Sequence, residues 1–210
     1  MVEPAPTSNP TPKRRAKRRR PPPAFITESS SPNDDELEEL AVHSGHQPLK
    51  LIRSREGREL SECRFHTALE FFPSRRATEI AGVTDTFYKA GITAQLALSS
   101  HLLDVGFPDR WCAAHIGYKI AQSLKYANAT GLSHNCPNMG HLAMVLNPYW
   151  KWNTMSIASR GVPKDGGFTP EEIRSLLRAL LMRISDVTGH AIPQKFWNDP
   201  DRWGPEIAQK

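Results

Sequence analysis

The chain has 210 residues, 39% of them apolar, and a formal charge of +5. No run approaches the ~18 consecutive apolar residues of a membrane-spanning helix, and the opening "MVEPAPTSNP" holds no apolar segment of a secretory signal. Cysteine is scarce and odd in number: Cys63, Cys112 and Cys136 argue for free thiols in a reducing, intracellular setting rather than for a disulfide scaffold.

Charge gathers at one end. "KRRAKRRRPPP" (residues 13 to 23) sets Lys13, Arg14, Arg15, Lys17, Arg18, Arg19 and Arg20 in eight positions. With Glu3, the first 20 residues sum to +6, which leaves −1 on the other 190. On that division the folded part is near neutral and the basic character belongs to the tail. Eight of the 18 prolines fall in residues 1–32, among few large apolar side chains. Such a segment buries too little to offset its ordering entropy, so residues 1–32 are expected to form a disordered Pro/Arg-rich tail. Residues 33–45 follow as an acidic polyampholyte linker or short helix, with Asp34, Asp35, Glu36, Glu38 and Glu39 placed favourably for a first turn.

Residues 46–192 read as a mainly α domain of four to five helices. "LKLI" (49 to 52) suggests one short strand, and "SREGREL" a turn. "SECRFHTALEFF" predicts a helix capped by Ser61 and ended by Pro73, with Phe65, Leu69 and Phe72 at helical spacing. "SRRATEIAGVTDTFYKAG" predicts a second, stopped by Gly91. The next 40 residues predict an antiparallel pair, the first helix from about Thr93 to Val105 and the second from Pro108 to Gly131, joined at Gly106 and Phe107. "LAMVL" and "TMSIAS" suggest a short β-hairpin around "NPYWKW". The strongest local signal comes last. Thr169, Pro170 and Glu172 spell a capping box ahead of Ile173, Leu176, Leu177, Leu180, Leu181, Ile184 and Val187, and Gly189 closes the helix. Residues 193–210 form a C-terminal extension that docks through Phe196, Trp197 and Trp203.

Chemistry-bearing residues are sparse. No Gly-rich phosphate loop, H-E-x-x-H or G-x-S-x-G occurs, and no catalytic residue is assigned. Cysteine and histidine cluster in "CAAH" and "HNCPNMGH", which raises the question of zinc. A helix running on to residue 129 carries the chain about 21 Å beyond His115. The five residues left before His134 reach back about 17 Å at most, so one site cannot join the two groups. The helical hairpin instead lets His101, Cys112 and His115 meet, and His134, Cys136 and His141 form a separate loop set. On a helical wheel Cys112, Ala113, Ile116, Ile120, Leu124 and Ala127 share an apolar face. Cys112 there reads as a small hydrophobe rather than a nucleophile. Trp111, His115, Tyr118 and Gln122 make a second, mixed stripe that suits a protein partner or a second copy of the chain.

Around Gly82, the run Ala81, Gly82, Val83 and Thr84 resembles the turn of helix-turn-helix segments, with Thr86, Phe87 and Tyr88 after it. The spacing is short, Pro73 truncates the preceding helix, and Asp85 has the wrong sign towards phosphate. An ordinary amphipathic core helix accounts for the pattern without strain and is the preferred reading.

The leading expectation is a non-enzymatic accessory or regulatory protein. Its seven tail cations bind DNA or RNA by counterion release, without reading bases. Such a protein is cytoplasmic or nucleoid-associated in a bacterium, or nuclear in a eukaryote. Two alternatives stand beside it: a protein-interaction module with an inert tail, and a metal-binding helical domain or metalloenzyme. No cofactor is expected on the leading reading, and zinc is the metal considered on the last.

Overall fold

The computed structural model describes residues 50–203. The expected tail, the acidic segment and the seven cations of residues 13 to 20 lie outside the described residues, as do residues 204–210.

Nine α-helices and no strand make up the described residues. They are α1 (Arg55–Phe71), α2 (Arg75–Ala81), α3 (Val83–Val105), α4 (Asp109–Trp111), α5 (Ile120–Ala127), α6 (Pro137–Val145), α7 (Thr154–Arg160), α8 (Pro170–Thr188) and α9 (Gln194–Trp197). Two π turns, Cys112–Ile116 and Asn128–Leu132, and a 3-10 turn, Tyr149–Trp152, link some of them. The described residues form nine α-helices rather than four to five, because glycines and prolines divide the long apolar stretches into short segments, but the mainly helical expectation holds. The hairpin does not: "LAMVL" lies in α6 and its last residue caps that helix, and "TMSIAS" lies in α7, whose N-terminus is capped by Asn153 Oδ1 accepting from the Ser156 amide at 2.7 Å.

α3 is the axis of the fold. Its 23 residues run unbroken through Gly91, and α1, α5, α8 and the 3-10 turn pack around it. Small side chains permit this. Ala90, Gly91, Ala94, Ala97, Ser99 and Ser100 are all buried, so neighbouring backbones approach closely without leaving voids. Towards its end every residue from Ala97 to Asp104 is buried, as befits a helix enclosed by others. Gly106, at the expected junction, then adopts φ 110°, ψ 12°, a left-handed cap.

α1 starts earlier than the sequence suggested. Ser54, not Ser61, is its N-cap, accepting from the Gly57 amide at 3.0 Å. The expected turn "SREGREL" is the first half of a helix, and Ser61 lies inside it, fully buried. "LKLI" pairs with no strand, and the Ile52 amide instead donates to the Gly106 carbonyl at 3.4 Å. α8 matches its prediction throughout. Glu172 Oε2 accepts from the Thr169 amide at 2.8 Å while Thr169 Oγ1 accepts from the Glu172 amide at 3.3 Å, and Gly189 caps the end at φ 75°. Ile173, Leu177, Leu180, Leu181 and Ile184 fill the core. Phe196 and Trp203 of the C-terminal extension also enter it, with Trp203 beside Phe72 at 5.2 Å between ring centroids.

Candidate functional site

The predicted helix from Pro108 to Gly131 is broken, and the break builds one wall of a cleft. Gly117 adopts φ 55°, ψ −125°, a conformation closed to L side chains, and it separates the π turn from α5. α3 pins this break, because Gln95 Nε2 donates to the Gly117 carbonyl at 2.9 Å. Ala114, His115, Ile116, Gly117, Tyr118 and Lys119 form one wall of a cleft of about 410 Å³, with Asn147 and Pro148 facing them.

The facing wall is positioned by aromatic packing. Phe87 of α3 stacks on Trp152 with centroids 4.1 Å apart and planes 13° apart, and Trp152 Nε1 donates to the Val145 carbonyl at 3.4 Å. Gly91 admits Tyr149: a Cβ there would stand 2.1 Å from Tyr149 Cβ. Gly91 does not stop the helix as expected; its role is close approach in mid-helix. Tyr149 meets Tyr88 at 5.9 Å and takes Tyr118 edge-on at 5.7 Å and 85°. Next to it, Arg160 lies 5.2 Å over the half-exposed Trp150 ring. Lys151 Nζ donates to the Asn147 carbonyl at 3.2 Å, at the cleft's edge. Burial raises Tyr149 above the usual phenol range and lowers Lys151.

The break divides the predicted Trp111, His115, Tyr118 and Gln122 stripe. Trp111 is half-buried against Phe107, Tyr126 and His115, at 5.1, 5.6 and 4.9 Å. His115 joins that cluster and also lines the cleft. Tyr118 stands beyond Gly117, 61% exposed, and Gln122 is half-buried on α5. On the apolar face Cys112, Ile116, Ile120, Leu124 and Ala127 are buried as expected, whereas Ala113 is exposed.

Among the described residues no group of three or more His, Cys, Asp or Glu side chains is placed to hold a metal ion. His101, Cys112 and His115 go separate ways. His101 is buried, and its Nε2 donates to Thr130 Oγ1 at 3.2 Å, whose own proton goes to the Tyr126 carbonyl. Burial pushes His101 down to about 4 and the Cys112 thiol up to about 12. A thiol so shifted is a poor nucleophile at neutral pH. In the second set, the His134 amide donates to Asn128 Oδ1 at 2.9 Å and the His141 ring rests 5.1 Å from Phe168.

One polar cluster had no sequence signal. Ser61 Oγ lies 2.7 Å from His190 Nε2 and 2.7 Å from the Ser100 carbonyl. Arg58 pairs with the buried Asp104 at 3.1 Å beside it and donates to the Thr188 carbonyl at 3.3 Å. A serine, a histidine and an aspartate suggest a triad, but the geometry opposes it. The carbonyl can only accept, so Ser61 gives its proton to Ser100, and His190 donates to Ser61 rather than acting as its base. Ser61 is 0% exposed, so no substrate reaches it.

The α2–Gly82–α3 junction has the order of a helix-turn-helix unit, yet α3 cannot read DNA. Thr86, Phe87 and Ala90, where base contacts would start, are buried in the core.

The folded part is not near neutral, as the −1 of residues 21–210 suggested. Glu28, Asp34, Asp35, Glu36, Glu38 and Glu39 precede residue 50, and residues 50–203 hold 19 Lys and Arg against 14 Asp and Glu, a net +5. Residues 110–164 contain no acid at all, against Arg110, Lys119, Lys125, Lys151, Arg160 and Lys164. Both cleft walls belong to this stretch. The acid-free run was a readable signal, masked by summing charge over the wrong boundary.

Comparison with known proteins finds no matching family model, no similar curated protein and no similar solved structure. The fold defines a class only: a mainly helical chain in which no described helix is long and apolar enough to cross a membrane.

Proposed function

We propose that the chain is a non-enzymatic accessory or regulatory protein that holds nucleic acid without sequence preference. One observation carries this reading: Lys13, Arg14, Arg15, Lys17, Arg18, Arg19 and Arg20 occupy seven of eight consecutive positions. Phosphate is the common polyanion, and arginine pairs with it in two-pronged fashion. The run attracts phosphates by releasing their counterions and offers nothing that distinguishes bases. The net +5 of residues 50–203 adds to that attraction.

The test compares the full chain with a variant carrying glutamine at all seven positions. Binding to mixed-sequence duplex DNA is measured across a salt series. The parent gives a log–log slope steeper by up to about 6 than the variant, the value for seven neutralised phosphates. Equal affinity and equal slope would remove the tail from the function.

The runner-up is a protein-interaction module built on Trp111, His115, Tyr118 and Gln122. The 61% exposure of Tyr118 favours it, and the half-burial of Trp111 weakens it.

A further inference from the structure

We infer that the cleft between the Gly117 break and Asn147–Pro148 is a stacking site for single-stranded nucleic acid, separate from the basic run. The inference rests on the nucleic-acid reading and adds a second point of contact, in the helical body. Three observations carry it.

The first is an open aromatic platform. Tyr118 is 61% exposed, and its contact with Tyr149 is edge-on at 85°, which leaves at least one face of each ring uncovered by the other. Tyr149, itself packed on Tyr88, braces it, and Trp150 stands next to Tyr149 along the chain, 38% exposed. An unpaired base stacks on such a ring whatever its identity.

The second is charge. Lys119 lines the cleft, and Lys151 Nζ sits 3.2 Å from the carbonyl of Asn147, which lines it too. No carboxylate occurs between residues 110 and 164, so nothing on either wall repels a phosphate. A strand lying across the cleft presents its phosphates to these two ammonium groups while a base meets Tyr118.

The third is size. About 410 Å³ falls in the range of clefts that take one small ligand. A duplex keeps its base faces inside its own stack and offers such a cleft only backbone. The site therefore prefers single strands, and stacking makes it tolerant of sequence.

The test uses the full chain and three labelled probes of equal length: oligothymidylate, oligouridylate and a mixed-sequence duplex. Tyr118→Ala weakens both single-strand affinities about tenfold and leaves the duplex affinity unchanged. Tyr118→Trp restores single-strand binding. Lys119→Gln lowers the single-strand salt slope by about 0.7. Unchanged melting temperatures establish that the exposed substitutions leave the fold intact. A larger loss for oligouridylate than for oligothymidylate marks RNA as the ligand, and the reverse marks DNA. The seven-glutamine tail variant separates the two claims. If it abolishes all binding while Tyr118→Ala and Lys119→Gln bind single strands like the parent, the cleft inference is overturned and the tail reading stands. If the parent binds none of the probes, both fall.

Discussion

Ser61 of α1 and His190, two residues past the end of α8, meet across the core with 2.7 Å between Oγ and Nε2. The bond joins segments 129 residues apart, and Ser61 also reaches the Ser100 carbonyl of α3 at 2.7 Å. One hydroxyl thus ties three elements together where no water can substitute. His190 is held on its other side, as its amide donates to Thr188 Oγ1 at 3.3 Å and its carbonyl accepts from Ser185 Oγ at 2.6 Å.

Ser61→Ala removes the acceptor and leaves the His190 N–H buried without a partner. A buried polar group so orphaned costs about 1–3 kcal/mol. Urea unfolding of the variant is expected to show that loss with an unchanged slope. A change within about 0.5 kcal/mol, the range of an ordinary surface substitution, would mean that the bond does not form as described.

Acidification should destabilise the fold well before its carboxylates titrate. Burial lowers His101 to about 4, and it lowers His134 and His190 in the same direction. These histidines stay neutral when folded and take up protons when unfolded, so the unfolded state binds more protons below its pKa of about 6.5. Stability is full above that value and falls as pH drops towards the folded pKa. His101 alone accounts for about 2 kcal/mol between pH 6.5 and about pH 5. Its Nδ1 is buried with no donor facing it, which agrees with a neutral ring. Unfolding midpoints across this range are expected to fall in the parent and to flatten in His101→Gln. Equal pH dependence in the two would refute the assignment.

Two glycines inside helices should respond oppositely to alanine. At Gly91 a new Cβ collides with Tyr149 at 2.1 Å, and overpacking of this kind costs about 1–3 kcal/mol. At Gly140, in α6, a new Cβ meets nothing within 4 Å. Alanine there should stabilise by about 0.5–1 kcal/mol through helix entropy. Thermal melts of both variants check the pair. A neutral Gly91→Ala would show that the Tyr149 turn is not seated on α3.

Some of this architecture was readable residue by residue. Thr169, Pro170, Glu172 and Gly189 announce α8 because caps are bonds between sequence neighbours, and such bonds need no knowledge of the rest of the chain. The left-handed stop at Gly106 is local in the same sense. The hairpin failed for the opposite reason. "LAMVL" and "TMSIAS" are short apolar runs without clear alternation, and a run of that length is assigned by its packing partners rather than by its own pattern. Here those partners are helices. Gly91 and Gly117 illustrate the limit again. The pattern reads Gly91 as a helix stop and Gly117 as a helix interior, but Gly91 yields space to Tyr149 in mid-helix and Gly117 breaks the chain at φ 55°. Only the neighbours distinguish these roles.

Composition and local signals alone determined that the chain is helical, where its clearest helix begins and ends, and that its densest positive charge lies in residues 13 to 20. They also held the acid-free run from 110 to 164, though not its meaning. Only the tertiary structure decided that α3 is an enclosed axis rather than an exposed reading helix, that Ser61 is a core tie rather than a cap, and that Tyr118 and Lys119 share one cleft with Asn147 and Pro148. Local bonds are written in adjacent residues, whereas burial and convergence depend on contacts between segments that are far apart in the chain.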